Sequence, residues 1–234
     1  MNHSTLKRLP FITIEGVDGA GKSSHLSTIF EILTSYGFEV VQTREPGGTE
    51  LGEDIRTKML RNDMSLQTTV LLAFASRSEL LQKVIRPALS TGKAVLCDRF
   101  TDSTYTYQGA GDGYPMSDIE MLEKSVHGDL NPDLTLLFDL PVEESMRRLT
   151  LTEKVPDNFE KKPMEYFHRV RQAYLDRAQK SNGRIALIDS NCPMEEVKQQ
   201  VQKTVIDFLQ AWSLNQQWPS KEPSTPSLVK RKLG

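Results

Sequence analysis

The sequence predicts an α/β fold, a three-layer α/β/α sandwich around a five-stranded parallel sheet. Three observations carry this. Short runs of almost continuous apolarity recur along the chain, as in strands covered on both faces. Stretches of helical spacing lie between them, and alternating strands and helices imply right-handed crossovers. The first apolar run leads directly into a glycine-rich loop that opens a helical pattern.

The strand candidates are Phe11–Glu15, Phe38–Thr43, Ala94–Asp98, Leu134–Leu140 and Arg184–Asp189, most of them closed by an acidic or turn residue. Helical spacing covers Lys22–Tyr36, with Leu26, Ile29, Phe30 and Leu33 on one face before Gly37 ends it. Leu66–Ser90 is long and leucine-rich, and Met164–Gln179 follows further on. Met194–Trp212 carries Val197, Val201, Val205, Phe208 and Leu209 at helical intervals. The reading is one domain over 1–212, with a lid at about 150–163. From Ser213 the chain is rich in Pro, Ser and Lys without periodicity, so 213–234 reads as an extended or disordered tail. Its Lys230–Lys232 cluster reads as a solvated charge run.

The 234 residues suffice for a sizeable core, and 29 basic against 31 acidic residues exclude a polyanion-binding surface spread over the molecule. Cys97 and Cys192 lack metal-ligand spacing and read as reduced thiols. The start has no long apolar core, and no stretch approaches the roughly 18 apolar residues of a membrane span. These features point to a soluble, cytoplasmic protein.

Gly16-Val17-Asp18-Gly19-Ala20-Gly21-Lys22-Ser23 matches G-x-x-x-x-G-K-[ST], the P-loop, between a strand candidate and a helix candidate. Glycines let the backbone turn its amides inward as a row of donors for phosphate oxygens, and the helix N-terminus adds its dipole. Lys22 reaches the β- and γ-phosphates, and Ser23 offers a hydroxyl to Mg²⁺. Ser24 follows in the same cradle. The motif specifies a nucleoside triphosphate and is silent about the acceptor. No N-K-x-D occurs, so guanine reading is not indicated.

Phosphate-reading arginines narrow the acceptor. Arg44, in "TREPGGT", sits at the C-terminal edge of the second strand, where open α/β sheets bind ligands. Asp98 and Arg99 end the third strand in "CDRF", and Asp98 there suits a carboxylate that orients Mg²⁺. Alone, each arginine reads as an ion pair at a loop mouth. Together, Arg44 and Arg99 read as forked donors for an acceptor phosphate. Arg77 lies three residues after Phe74 and shares its helix face. Ser103, Tyr107 and Gln108 in "STYTYQG" form a polar, aromatic loop suited to a pyrimidine edge.

Together "EGVDGAGKSS", "TREPGGTELGEDIR", "DRFTDSTYTYQG" and "NPDLTLLFDL" resemble bacterial thymidylate kinase, of the P-loop nucleoside monophosphate kinase family, over about Phe11 to Trp212. The resemblance implies the P-loop NMP-kinase fold, transfer of the γ-phosphoryl group of ATP to dTMP for dTTP synthesis, and a homodimer. It implies that Gly16 to Ser24 hold ATP, with Ser23 and Asp98 on Mg²⁺. Asp18, Arg44 and Arg99 would meet the acceptor sugar and phosphate, and Phe74 and Arg77 the base. Ser103 and Gln108 would read the base edge, and Tyr107 would favour deoxyribose.

Two departures accompany it. Many relatives place the stacking phenylalanine four residues before the base-contacting arginine, where this chain has Ala73. The lid, "LTEKVPDNFEKKP", has Asn158 where the family carries an arginine, and Ala20 in the P-loop is no substitute. On that basis Lys22, Asp98 and Arg99 are joined as catalytic candidates by a cation borrowed from Arg147, Arg148, Lys154 or Lys161. Asp157 and Glu160 read as solvated acids. A kinase of another pyrimidine nucleotide, or a non-catalytic nucleotide sensor, are the alternatives.

Overall fold

The computed structural model describes residues 8–151 and 158–216. In chain order these are β1 (Phe11–Glu15), α1 (Leu26–Ser35), β2 (Val40–Arg44), α2 (Glu50–Arg61) and α3 (Leu66–Leu80). Then come α4 (Arg86–Ser90), β3 (Ala94–Asp98), α5 (Thr101–Thr104), α6 (Met116–Val126) and β4 (Leu134–Asp139). The series closes with α7 (Val142–Thr150), α8 (Met164–Lys180), β5 (Ile185–Asp189) and α9 (Met194–Gln216). One 3₁₀ turn, Lys22–His25, feeds α1, and two π-helical stretches, Leu81–Ile85 and Tyr105–Gly111, extend α3 and α5.

All five strands pair in parallel in the order β2-β3-β1-β4-β5. Period-two alternation divides the central strands between two cores. Ile12, Ile14, Ala94 and Leu96 join the cluster that holds Ile29 and Leu33 of α1 and Val197, Val201, Val205 and Leu209 of α9. Phe11, Val95 and Cys97 join Leu80, Leu81, Ile85 and Leu89 on the opposite face. β1 and the apolar part of β3 are buried throughout, whereas the edge strands β2 and β5 are partly exposed. The expectation of two covered faces therefore holds for the middle of the sheet and not for its edges.

Several boundaries move. Phe38 lies outside β2, where its ring meets Trp212 edge-on at 6.0 Å. The long helix expected over 66–90 is continuous, with a π stretch in its centre. Four helices unforeseen in the sequence appear: α2, α5 with its π extension, α6 and α7. α9 runs to Gln216, past the Ser213 boundary expected for the tail, and the rest of that tail, Lys230–Lys232 included, lies outside the described residues. Lid residues 152–157, with Lys154 and Asp157, lie outside them too. Among the described residues no helix is long and apolar enough to cross a membrane.

Candidate active site

The glycine-rich loop leaves the C-terminal end of β1, the middle strand of the sheet. Gly16 has φ +139°, and a β-carbon there would stand 2.4 Å from the Phe138 carbonyl oxygen, so only glycine passes between the strands. The Ser145 hydroxyl donates to the Asp18 carbonyl at 2.6 Å and ties the loop to α7. Buried Lys22 curls over the loop, its ammonium donating to the Gly16 and Val17 carbonyls at 2.9 and 3.0 Å. Burial, reinforced by Arg99, pushes that ammonium down to about 8 against the pull of Asp18, Asp98 and Glu15. Ser23 and Ser24 are exposed at the mouth.

Two adjoining lobes open at this sheet edge, of about 730 and 770 Å³ with their solvent-filled mouths included. The first lies over the P-loop, bordered by Gly19, Gly21, Lys22, Ser23, Ser24, Arg44 and Asp98. The second is bordered by Ala73 and Arg77 of α3, by Ser103, Tyr107 and Gln108, and by Phe159 and Glu160. Asp18, Glu45, Arg56 and Arg99 border both. The structure thus brings Asp18, Gly19, Gly21, Lys22, Ser23 and Ser24 of the P-loop together with Arg44, Arg77 and Arg99 at one cleft.

Arg99 occupies the partition. Its guanidinium donates to Asp18 Oδ1 at 2.6 Å, the Gly16 carbonyl at 3.0 Å, and Ser103 Oγ and the Tyr107 hydroxyl at 3.2 Å. Its backbone has φ +68°, costly for a residue with a β-carbon, and the bond from its N–H to the Ile14 carbonyl at 2.9 Å helps hold it. Beneath it Glu15 is fully buried and accepts from Phe100 N, Ser103 Oγ and the Tyr174 hydroxyl at 2.6–2.7 Å. Burial raises its pKa, with Arg99 pulling the other way. Sequence reasoning missed Glu15, which reads as the last residue of an apolar strand.

Arg44, half exposed at the end of β2, is forked onto Glu53 of α2 at 2.7 and 3.2 Å. Arg56, one turn beyond Glu53 on the same helix, donates to the Pro46 carbonyl at 3.2 Å and faces both lobes. It too went unrecognised in the sequence, because α2 did. The signals were present: Thr49 caps the helix by accepting from Gly52 N at 3.0 Å, acids fill the first turn and bases the last.

At the far wall Arg77, 2% exposed, donates to Glu45 Oε2 and Thr104 Oγ1 at 2.8 and 3.1 Å. Arg77 Nη1 and Glu45 Oε1 are buried without a hydrogen-bond partner, although both residues border the lobe. Burial pushes the Glu45 carboxyl up, to about 7, with Arg77 pulling it back. Asp98 Oδ1 is likewise buried and unpartnered, in the lobe that also exposes the Ser23 hydroxyl. An orphaned carboxylate oxygen beside a hydroxyl is a donor set that fits Mg²⁺ or its water shell.

Several expectations need correction. Phe74 does not face the cleft. It is 2% exposed in a cluster with Val70, Tyr105 and Ile119, and Arg77 lies over its ring at 4.7 Å, so no base can stack on it here. The helix turns Ala73 to the lobe instead. Arg147 and Arg148 do not reach the cleft either: both are held by Glu144, and Arg148 also donates to the Ser190 carbonyl at 2.9 Å. Ser103, Tyr107 and Gln108 lie on helix and π-helix, not in a loop. Lys161 is exposed and borders neither lobe, whereas Glu160 borders the second.

A family model for thymidylate kinase matches residues 14–201, from the end of β1 through every cleft residue above to the first turns of α9. The chain belongs to the thymidylate kinase family. It is 50% identical to the thymidylate kinase of Methylobacillus flagellatus over 85% of this chain and 97% of that protein. The Bordetella pertussis thymidylate kinase is 47% identical over 85% and 95%. The crystal structure of the Ehrlichia chaffeensis thymidylate kinase superposes with a TM-score of 0.69 at 32% identity, covering 85% of this chain and 99% of that one. The parallel sheet and its helical layers are therefore the P-loop NMP-kinase fold of thymidylate kinases.

Proposed function

We propose that this thymidylate kinase family chain transfers the γ-phosphoryl group of ATP to dTMP, giving ADP and dTDP for dTTP synthesis. The observation that carries the reading is the pair of lobes joined at Arg56 and Arg99, with the phosphate cradle on one side and the arginine-walled pocket on the other. The loop from Gly16 to Ser24, Val17 and Ala20 included, wraps the ATP phosphates with main-chain amides. Lys22 leaves its carbonyl partners to meet the β- and γ-oxygens. Arg44, Arg56 and Arg99 pin the dTMP phosphate for in-line attack, and Asp18 steadies Arg99. Such catalysis is positioning and charge neutralisation, which guanidinium forks supply. Ser23 and Asp98 would hold Mg²⁺, which would supply positive charge to the phosphate oxygens.

In the second lobe the spare Arg77 N–H donates to a pyrimidine carbonyl, Gln108 and Ser103 offer further edge contacts, and the Tyr107 ring limits room for a 2′-hydroxyl. The resemblance supports a homodimer, with which Leu71 of α3, 48% exposed, is compatible, and the cysteine usage and composition of the sequence support a cytoplasmic location. ADP release measured with dTMP, dUMP, UMP, CMP and thymidine tests the reading. Turnover is expected to be fastest with dTMP and lost with thymidine, which has no phosphate for the arginines. Equal rates across the panel would contradict the pocket.

Lys22 gives a pH signature. With its folded pKa lowered to about 8, the empty site loses the ammonium charge above that pH. Phosphates restore the charge, so ATP binding at pH 8.5 is expected to take up a proton that binding at pH 6.5 does not. Calorimetry in two buffers of different ionisation enthalpy reads this directly, and no uptake at the higher pH would show Lys22 already charged.

A further inference from the structure

Residue 73 leaves the second lobe with a methyl group where a base needs a flat partner, and the structure offers a ring from elsewhere. Phe159 borders that lobe and packs on the Ile55, Met59 and Ala73 cluster. It meets the Tyr107 ring edge-on, centroids 6.4 Å apart and planes at 86°. Its neighbour Asn158 holds it there. The Asn158 backbone N–H donates to the Leu60 carbonyl at 3.2 Å, and its side-chain amide to the Asn62 carbonyl at 2.8 Å. Both acceptors lie at the C-terminal end of α2, where carbonyls lack helical partners.

We propose that Phe159 is the aromatic wall of the acceptor-base pocket and that Asn158 is its positioning residue. The two departures, Ala73 and Asn158, then form one arrangement. A small residue on α3 makes room, and an amide in place of a guanidinium fastens the ring-bearing turn to the end of α2. Arg77 reads the polar edge of the base from α3 while Phe159 covers apolar surface near Ala73. The proposal rests on the reading that this lobe takes a pyrimidine nucleotide.

Steady-state kinetics of wild type, Phe159→Ala, Phe159→Leu and Ala73→Phe/Phe159→Ala, with thermal melts, test it. Losing a stacked base contact is expected to raise KM for dTMP about tenfold in Phe159→Ala, with KM for ATP unchanged. Phe159→Leu keeps the apolar volume and the fold but lacks the ring, and is expected to raise the same KM. The double variant restores an aromatic on the same wall and is expected to recover most of the affinity. Asn158→Ala is expected to shift KM in the same direction by a few fold. A Phe159→Leu enzyme with wild-type KM for dTMP would overturn the proposal. Wild type that does not turn over dTMP would overturn the functional reading instead, before any variant is compared.

Discussion

Arg77→Ala is expected to destabilise the protein by about 3–5 kcal/mol, because it strands the Glu45 carboxylate in the interior. Arg77 is 2% and Glu45 4% exposed, with their closest charged atoms 2.7 Å apart. The guanidinium also packs over the Phe74 and Phe100 rings at 4.7 and 5.3 Å, so its stem and charge are both lost. The deficit has a pH signature with a definite sign. Burial already raises Glu45 above its ordinary value, and removing the cation that opposes burial raises it further. A carboxyl whose folded pKa lies above its unfolded one loses stability as pH rises through the folded value. The gap to wild type is therefore expected to be wider at pH 8 than at pH 5. Arg77→Leu combined with Glu45→Gln removes both charges and is expected to recover most of the stability, but not dTMP affinity. Chemical denaturation at the two pH values checks this, and a loss under about 1 kcal/mol would mean that Glu45 is solvated or neutral already.

Lys22→Met is expected to lower kcat by on the order of 10³-fold, the scale of losing one preorganised donor to developing charge. Methionine keeps much of the buried stem, so the fold should survive; what goes is the ammonium that can leave Gly16 and Val17 for the phosphates. Single-turnover phosphoryl transfer at saturating dTMP separates this from a binding defect. A rate within a fewfold of wild type would shift the chemistry to the arginines alone.

The sheet was legible because β1 and the apolar part of β3 are buried throughout and written in mostly apolar residues, Thr13 alone interrupting β1 before Glu15. The P-loop was legible because backbone geometry demands its glycines. Tyr105–Gly111 was not, since its threonine, glutamine and two glycines suggest a loop. Here Gly111 is needed for packing: a β-carbon on it would fall 2.5 Å from the Tyr166 ring of α8. Phe74 failed as a candidate for a different reason. One residue is 100° of helix phase, and sequence spacing did not reveal whether residue 73 or 74 faced the cleft. The buried carboxylates Glu15 and Glu45 carry no local signal, because their partners lie up to 159 residues away.

A crystal of the protein with dTMP and a non-hydrolysable ATP analogue addresses the shared partition most directly. The acceptor phosphate should lie between Arg44, Arg56 and Arg99, its base in the lobe of Arg77 and Phe159, and the triphosphate over Lys22. A thymidylate whose phosphate rests on the P-loop amides, away from those three arginines, would contradict the assignment of the two lobes.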